Sequence, residues 1–269
     1  MKKIICLILS FALTIGASAA LAGCGNKNTI IMYTNAEFAP YEFIEGGKVV
    51  GVDVEIAKKI AEKAGKKLVI ENIDFDALMP KLSQLKDNEM ILAGMTITPA
   101  REERALFSNP YANSIQYIIY KEASGLDTIE KLSGKKVGVQ TATTGHYLLT
   151  DNLGDDENEF VLSDVLNIDV QPRSSAQIAA LELNQGELDA VIVDKLPAEM
   201  ITGNIAGLKA VAANYELEGD NIFAEESYGV AVKTGNTELM DIINEVIAEL
   251  IADKSIENWT NEFSGTLTN

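Results

Sequence analysis

Two rhythms of apolar and polar positions recur along this chain. Residues 29–34 (TIIMYT) are a β-branched, apolar run of strand length, and the NAEFAPYEF that follows contains Pro40 and loop formers that break it. Over 53–64 (DVEIAKKIAEKA) Val54, Ile56, Ala57, Ile60, Ala61 and Ala64 fall at helical spacing, with acids in the first turn and Gly65 as a stop. A strand over 67–70, a helix over 74–85 built on Leu78, Leu82 and Leu85, and a strand over 90–93 running into Gly94 complete a βαβαβ succession.

The same succession returns later in the chain. KKVGVQ (135–140) predicts a strand, a helix starts near Thr144, and strand character reappears at 169–171. A helix over 175–184 and the buried strand LDAVIV (188–193), ending at Asp194, follow. Between the two sets, IQYIIY (115–120) leaves the first and ESYGVAV (226–232) returns to it, which predicts two lobes joined by a two-segment hinge. The expected boundaries are 29–115 plus 226–269 for the first lobe, 121–222 for the second, and 116–120 and 223–225 for the hinge segments. Residues 237–252 place Leu239, Ile242, Ile243, Val246, Ile247, Leu250 and Ile251 on one face of a long helix that should pack on the first lobe.

The N-terminus belongs to neither rhythm. Lys2 and Lys3 precede an uncharged apolar run from Ile4 to Ile15, and small residues lead to Leu21-Ala22-Gly23-Cys24, the pattern of a secretory leader over 1–23. That run is short for a bilayer-spanning helix, which needs ~20 apolar residues. Leu-Ala-Gly-Cys resembles the lipobox of bacterial lipoproteins, which makes Cys24 the expected lipid attachment site and 24–28 a linker at the extracytoplasmic face of the cell membrane. Cys6 lies in the leader, so a mature chain has no second cysteine with which to form an intrachain disulfide. Without Lys2 and Lys3 the chain carries 20 basic against 40 acidic residues, a net charge of −20. That balance argues against nucleic acid as a partner.

Four blocks resemble bacterial extracellular solute-binding proteins of the family that serves polar amino acid importers, and the similarity covers nearly the whole mature chain. GVDVEIAKKIAEKA (51–64) is similar to the family signature, with Val52 where a bulkier residue is usual. AGMTITPAREERALFSNPY (93–111) carries Gly94, Thr96 and Arg101 at the spacing the family uses to hold a ligand carboxylate. VGVQTATTG (137–145) and ELDAVIVDKLPA (187–198) match two second-lobe blocks. The resemblance implies an α/β fold of the periplasmic-binding-protein-like type II, with the ligand cleft between the lobes.

Recognition of a zwitterion needs one cation and one anion with hydrogen bonds aimed at a fixed distance, since unpaired buried charge is very costly. Arg101 offers the bidentate fork for a carboxylate, with the Thr96 hydroxyl and the amides of Thr96 and Thr143 completing the coordination. Asp194, at the carboxyl end of a strand, is placed to accept from an α-ammonium, and the Gly94 carbonyl can assist. Without their blocks, Arg101 reads as a solvated charge on a surface helix and Asp194 as a helix N-cap. Phe38 and Phe75 match positions that sandwich the ligand side chain, Phe75 being equally readable as core. Tyr41 and Phe43 read as core or rim, and His146 as a residue near a helix start.

Cationic ligands in this family often meet an acid where this chain has Asn35. That amide and Gln140 therefore point to a neutral polar side chain, although Glu37 and Asp76 stand close enough in sequence to supply an anion. The expected function is capture of a polar amino acid by a lipid-anchored monomer that delivers it to ABC permease subunits with a separate ATPase. No phosphate-binding loop, metal set, cofactor motif or catalytic proton donor is evident, so an enzyme is not expected. The alternatives are a ligand-sensing receptor module without transport and a periplasmic dehydratase on the same fold.

Overall fold

The computed structural model describes residues 28–151 and 160–267. The leader 1–23 and Cys24 lie outside the described residues. Two five-stranded sheets form the cores of two lobes. In the first, the order is Lys67–Asn72, Thr29–Thr34, Glu89–Ile91, Ala231–Val232 and Leu106–Phe107. Its first three strands are parallel, and Ala231–Val232 runs antiparallel to both neighbours. The second sheet repeats this plan in the order Asp169–Arg173, Lys136–Gln140, Ala190–Asp194, Gln116–Lys121 and Leu208–Ala212. Its antiparallel insert is Gln116–Lys121.

Parallel strands need helical crossovers, and these cover the sheet faces. Val52–Lys63 buries Val54, Ile56, Ala57, Ile60 and Ala61 and packs against Thr237–Ala252, the long helix anticipated for the first lobe. The latter starts at Asn236, whose Oδ1 accepts from the Leu239 N–H at 3.3 Å. Ala176–Gln185 lies over the second sheet, with the Ser175 Oγ accepting from Ile178 N at its start and left-handed Gly186 at its end. The helix predicted over 74–85 is Phe75–Leu82, because Pro80 removes a donor near its end and the chain turns away through Ser83. Two helices of ten or more residues have no counterpart in the sequence pattern as read. Lys195–Asn204 follows Asp194 directly, and Ser255–Leu267 packs on the first lobe while also touching Lys195–Asn204.

Of the two segments expected to serve as the hinge, 116–120 is a strand of the second lobe's sheet, and 223–225 starts from a second-lobe core residue. Residues 116–120 lie in the strand Gln116–Lys121, hydrogen-bonded on both edges, because the alternation of IQYIIY suits a central strand as well as a crossing. Phe223 is buried in the second lobe's core cluster. The chain passes between the sheets at Ala112–Ser114 and Glu226–Tyr228, which pair with each other antiparallel.

Behind the first sheet lies an unusual pair of acids. Glu42 and Asp53 are both completely buried. Asp53 Oδ2 accepts from the Gly94 N–H at 2.9 Å and from the Tyr111 hydroxyl at 2.9 Å. Asp53 Oδ1 and both oxygens of Glu42 have no donor among the described residues, so a proton held between the two carboxyls is what pairs them. Burial, and then the charge of Asp53, push the Glu42 carboxyl well above its usual range, while burial pushes Asp53 up to about 6. The folded chain therefore keeps this proton where the unfolded chain has lost it. Its contribution to stability is full below about pH 4 and is lost as pH rises through the folded pKa. Replacing Glu42 by glutamine, whose amide donates to Asp53 at any pH, should remove that loss. In thermal melts from pH 5 to 8 the variant's melting temperature should gain on the wild type as pH rises, by roughly 2–4 °C for each kcal/mol recovered.

Candidate functional site

The carboxyl ends of the parallel strands of both sheets face one another across the cleft. Residues from both lobes line a single cavity there: Asn35, Phe38, Phe75, Ala93, Gly94, Thr96 and Arg101 from the first, Gln140, Thr143, Thr144 and Asp194 from the second. All nine ligand-contacting residues anticipated from the sequence thus meet at one place. The lobes close so far that about 10 Å³ remains, room for about one water molecule. A larger guest enters only by parting them.

Local sequence aims each group. In TPARE, Thr98 caps the Arg101 N–H at 3.3 Å and Pro99 opens a four-residue helix, turning Arg101 inward. Arg101 is 5% exposed, not the solvated charge that its run of charged neighbours suggests. Its Nη1 donates to the Thr96 carbonyl at 2.9 Å and its Nη2 to the Ala142 carbonyl in the opposite lobe at 3.2 Å. Burial lowers its pKa, opposed first by the charge of Glu226. Ala142 presents that carbonyl from a left-handed conformation (φ 66°), its N–H held by His146 Nδ1 at 3.3 Å. His146 sits in the first turn of Thr144–Thr150, and its position near a helix start is as anticipated.

Asp194 ends the strand Ala190–Asp194 and is 5% exposed. It occupies the N-cap position of Lys195–Asn204 without a side-chain cap bond. Its Oδ1 accepts instead from the Tyr228 hydroxyl at 2.5 Å. Burial, followed by the charge of Glu226, pushes its carboxyl up to about 7 against hydrogen bonds from Tyr228, Gln116 and Ser114. Gln140 Nε2 donates to Asn35 Oδ1 at 2.9 Å across the cleft, and Asn35 Nδ2 donates to the Ile73 carbonyl at 3.1 Å. Phe75 lies 5.9 Å from the Arg101 guanidinium. Tyr41 and Phe43 are core residues, while Glu37 and Asp76 are exposed and do not line the cavity.

Sequence reasoning missed the group that organises the hinge side of the site. Glu226 Oε2 accepts from the hydroxyls of Thr96 and Thr144, both at 2.7 Å, and Oε1 accepts from Gln116 Nε2 at 3.2 Å. Nothing in ESYGVAV sets Glu226 apart from the exposed Glu225 beside it. Thr144 adjoined the matched Thr143 and was the more findable. One expectation changes as a result. A hydroxyl has one hydrogen, and the Thr96 hydroxyl commits it to Glu226, so its side chain cannot donate to a ligand carboxylate.

The model for bacterial extracellular solute-binding proteins, family 3, matches residues 30–266. The chain belongs to that family. Arginine-binding extracellular protein ArtP of Bacillus subtilis (strain 168) is 29% identical over 268 residues, covering 96% of each chain. An ancestral arginine-binding protein bound to arginine superposes with a TM-score of 0.74 at 31% identity, over 88% of this chain and 98% of that one. A structure of an ancestral arginine-binding protein bound to glutamine gives 0.72 and 32% over 88% and 98%. The fold of this family 3 protein is the type II periplasmic binding fold, as the sequence blocks implied.

Gly94 limits how the cleft can be built. Its φ is +52°, and a Cβ there would lie 2.5 Å from the Phe38 ring. Gly94→Ala should displace that ring and lower stability by about 1–3 kcal/mol, seen as a lower melting temperature than a Gly46→Ala control, where nothing lies within 4 Å.

Proposed function

We propose that this protein is an extracytoplasmic, lipid-anchored binding protein that captures a polar amino acid and hands it to an ABC importer, and that it has no catalytic role. The reading rests on one observation: a buried guanidinium and a buried carboxylate face the same closed cavity from opposite lobes. Arg101 takes the ligand carboxylate in place of the carbonyls it now contacts, with the backbone N–H groups of Thr96 and Thr143 beside it. Asp194 takes the α-ammonium, together with the Gly94 carbonyl and the oxygen of the Thr96 hydroxyl. Phe38 and Phe75 cover the ligand methylenes.

Asn35 and Gln140 close the cavity with neutral amides, and Asp194 is the only carboxylate among the lining residues. A neutral polar side chain such as that of glutamine or cystine suits this end better than a cation does. The relatives' names, which include arginine and cystine binders, support an amino acid ligand. Closure around the ligand is the signal that separate permease subunits read, with ATP hydrolysed elsewhere, and the protein acts as a monomer. Cys24, preceded by Leu-Ala-Gly, carries the lipid.

A thermal-shift screen of the mature protein against the common amino acids should raise the melting temperature with a neutral polar member, because a ligand bound only by the folded state stabilises it. Absence of any shift would sink the reading. Arg101→Ala should abolish the shift, and retention of full affinity would refute the carboxylate role. Asn35→Asp should move the ratio of arginine to glutamine affinity at least tenfold toward arginine in calorimetric titrations. Cys24→Ser should shift the protein from the detergent phase to the aqueous phase on partitioning of expressing cells.

A further inference from the structure

Glu226 stands on one of the two crossing strands, paired through its backbone with Ser114 on the other. One of its oxygens holds a hydroxyl from each lobe at the same distance. Thr96 belongs to the segment that follows Gly94 in the first lobe, and Thr144 begins the helix Thr144–Thr150 in the second. These two bonds coexist only when the lobes are closed. Each also fixes a polarity. A threonine hydroxyl left to itself can turn its hydrogen toward any acceptor, but one that donates to Glu226 presents only lone pairs to the cavity.

A carboxylate at this point opposes the nearby Asp194, and the site tolerates it because three donors and the guanidinium of Arg101 face it. We infer that Glu226 is a positioning residue for the ammonium subsite: by taking both hydroxyl hydrogens on one oxygen it makes Thr96 and Thr144 acceptors for the ligand ammonium and ties the lobes at their closed angle. This rests on the reading of the cleft as a zwitterion site. An amide in its place would donate a hydrogen toward one hydroxyl and turn that hydroxyl's own hydrogen toward the ligand.

The charges and titratable groups facing Asp194 are Arg101, Glu226, Tyr41 and Tyr228. Of these Glu226 is the one that raises its pKa, and Asp194 must be ionised to receive an ammonium. Two effects of Glu226→Gln therefore separate by pH. Above pH 8 Asp194 is ionised with or without Glu226, so a loss of affinity there reports the hydroxyls. Near pH 6 the variant should lose less, because Asp194 without its acidic neighbour holds its proton less tightly.

Calorimetric titration of wild type and Glu226→Gln from pH 5.5 to 8.5, with the amino acid that gives the largest thermal shift, tests this. The wild-type affinity should weaken below about pH 7. The variant should bind at least tenfold more weakly at pH 8.5, with its own inflection at lower pH. Equal affinities, a uniform loss with an unmoved inflection, or no inflection in the wild type would overturn the inference. If Glu226→Gln does not melt cooperatively, Thr144→Val replaces it; this variant keeps the carboxylate, so severalfold weakening with an unmoved inflection is expected, and binding within twofold of wild type overturns the inference. A wild type that binds no amino acid removes the zwitterion reading itself, an outcome distinct from a variant that matches a binding wild type.

Discussion

The structure depends on keeping opposite charges buried between two sheets. A guanidinium or carboxylate taken from water without partners costs far more than a domain's net stability. Arg101 and Asp194 are each about nineteen-twentieths buried, on different lobes. Neither could be held in this way by its own lobe alone. Arg101 leans on a carbonyl from each side, and Asp194, at the end of a second-lobe strand, takes the hydroxyl of Tyr228 from the crossing strand. Closure is thus part of how the charges are satisfied as well as how a guest would be enclosed.

Architecture follows from the same requirement. Parallel strands end in loops whose backbone groups are not consumed by the sheet, and two such sheets set end to end bring those loops together. The antiparallel strand in each sheet returns the chain toward the crossing, where Ala112–Ser114 and Glu226–Tyr228 lie side by side. Glu226 is where scaffold and site meet, since its backbone belongs to the crossing and its carboxylate to the cleft. The shared proton of Glu42 and Asp53 serves the cleft from behind, because Asp53 holds the N–H of Gly94 in the conformation that the Phe38 ring permits.

Polar groups lining the cavity bond to the protein's own groups. The amides of Asn35 and Gln140 bond each other, and Arg101 bonds carbonyls. A ligand therefore replaces existing hydrogen bonds, and net affinity reflects the difference between two sets of partners.

Periodicity by itself determined the two α/β sets, the buried strands TIIMYT and AVIVD, and the helices Val52–Lys63 and Thr237–Ala252, because burying one face of an element leaves a local imprint at period two or 3.6. Family blocks carried Gly94, Thr96, Arg101, Gln140, Thr143 and Asp194, since their spacing is tied to strand ends, and likeness to family positions outside those blocks supplied Asn35, Phe38 and Phe75. What sequence could not decide was which extended segment is a crossing and which a central strand, as IQYIIY has the same pattern in either place. Local composition could not mark Arg101 as buried, for the REER run at 101–104 has the look of a surface, and only the family block pointed it to the cleft. Nor could the sequence find Glu226, whose three partners lie 20 or more positions from one another and 82 or more from it and meet only when the lobes close. Partnerships of that kind are made by tertiary structure, because hydrogen bonds between distant segments leave no periodic trace along the chain.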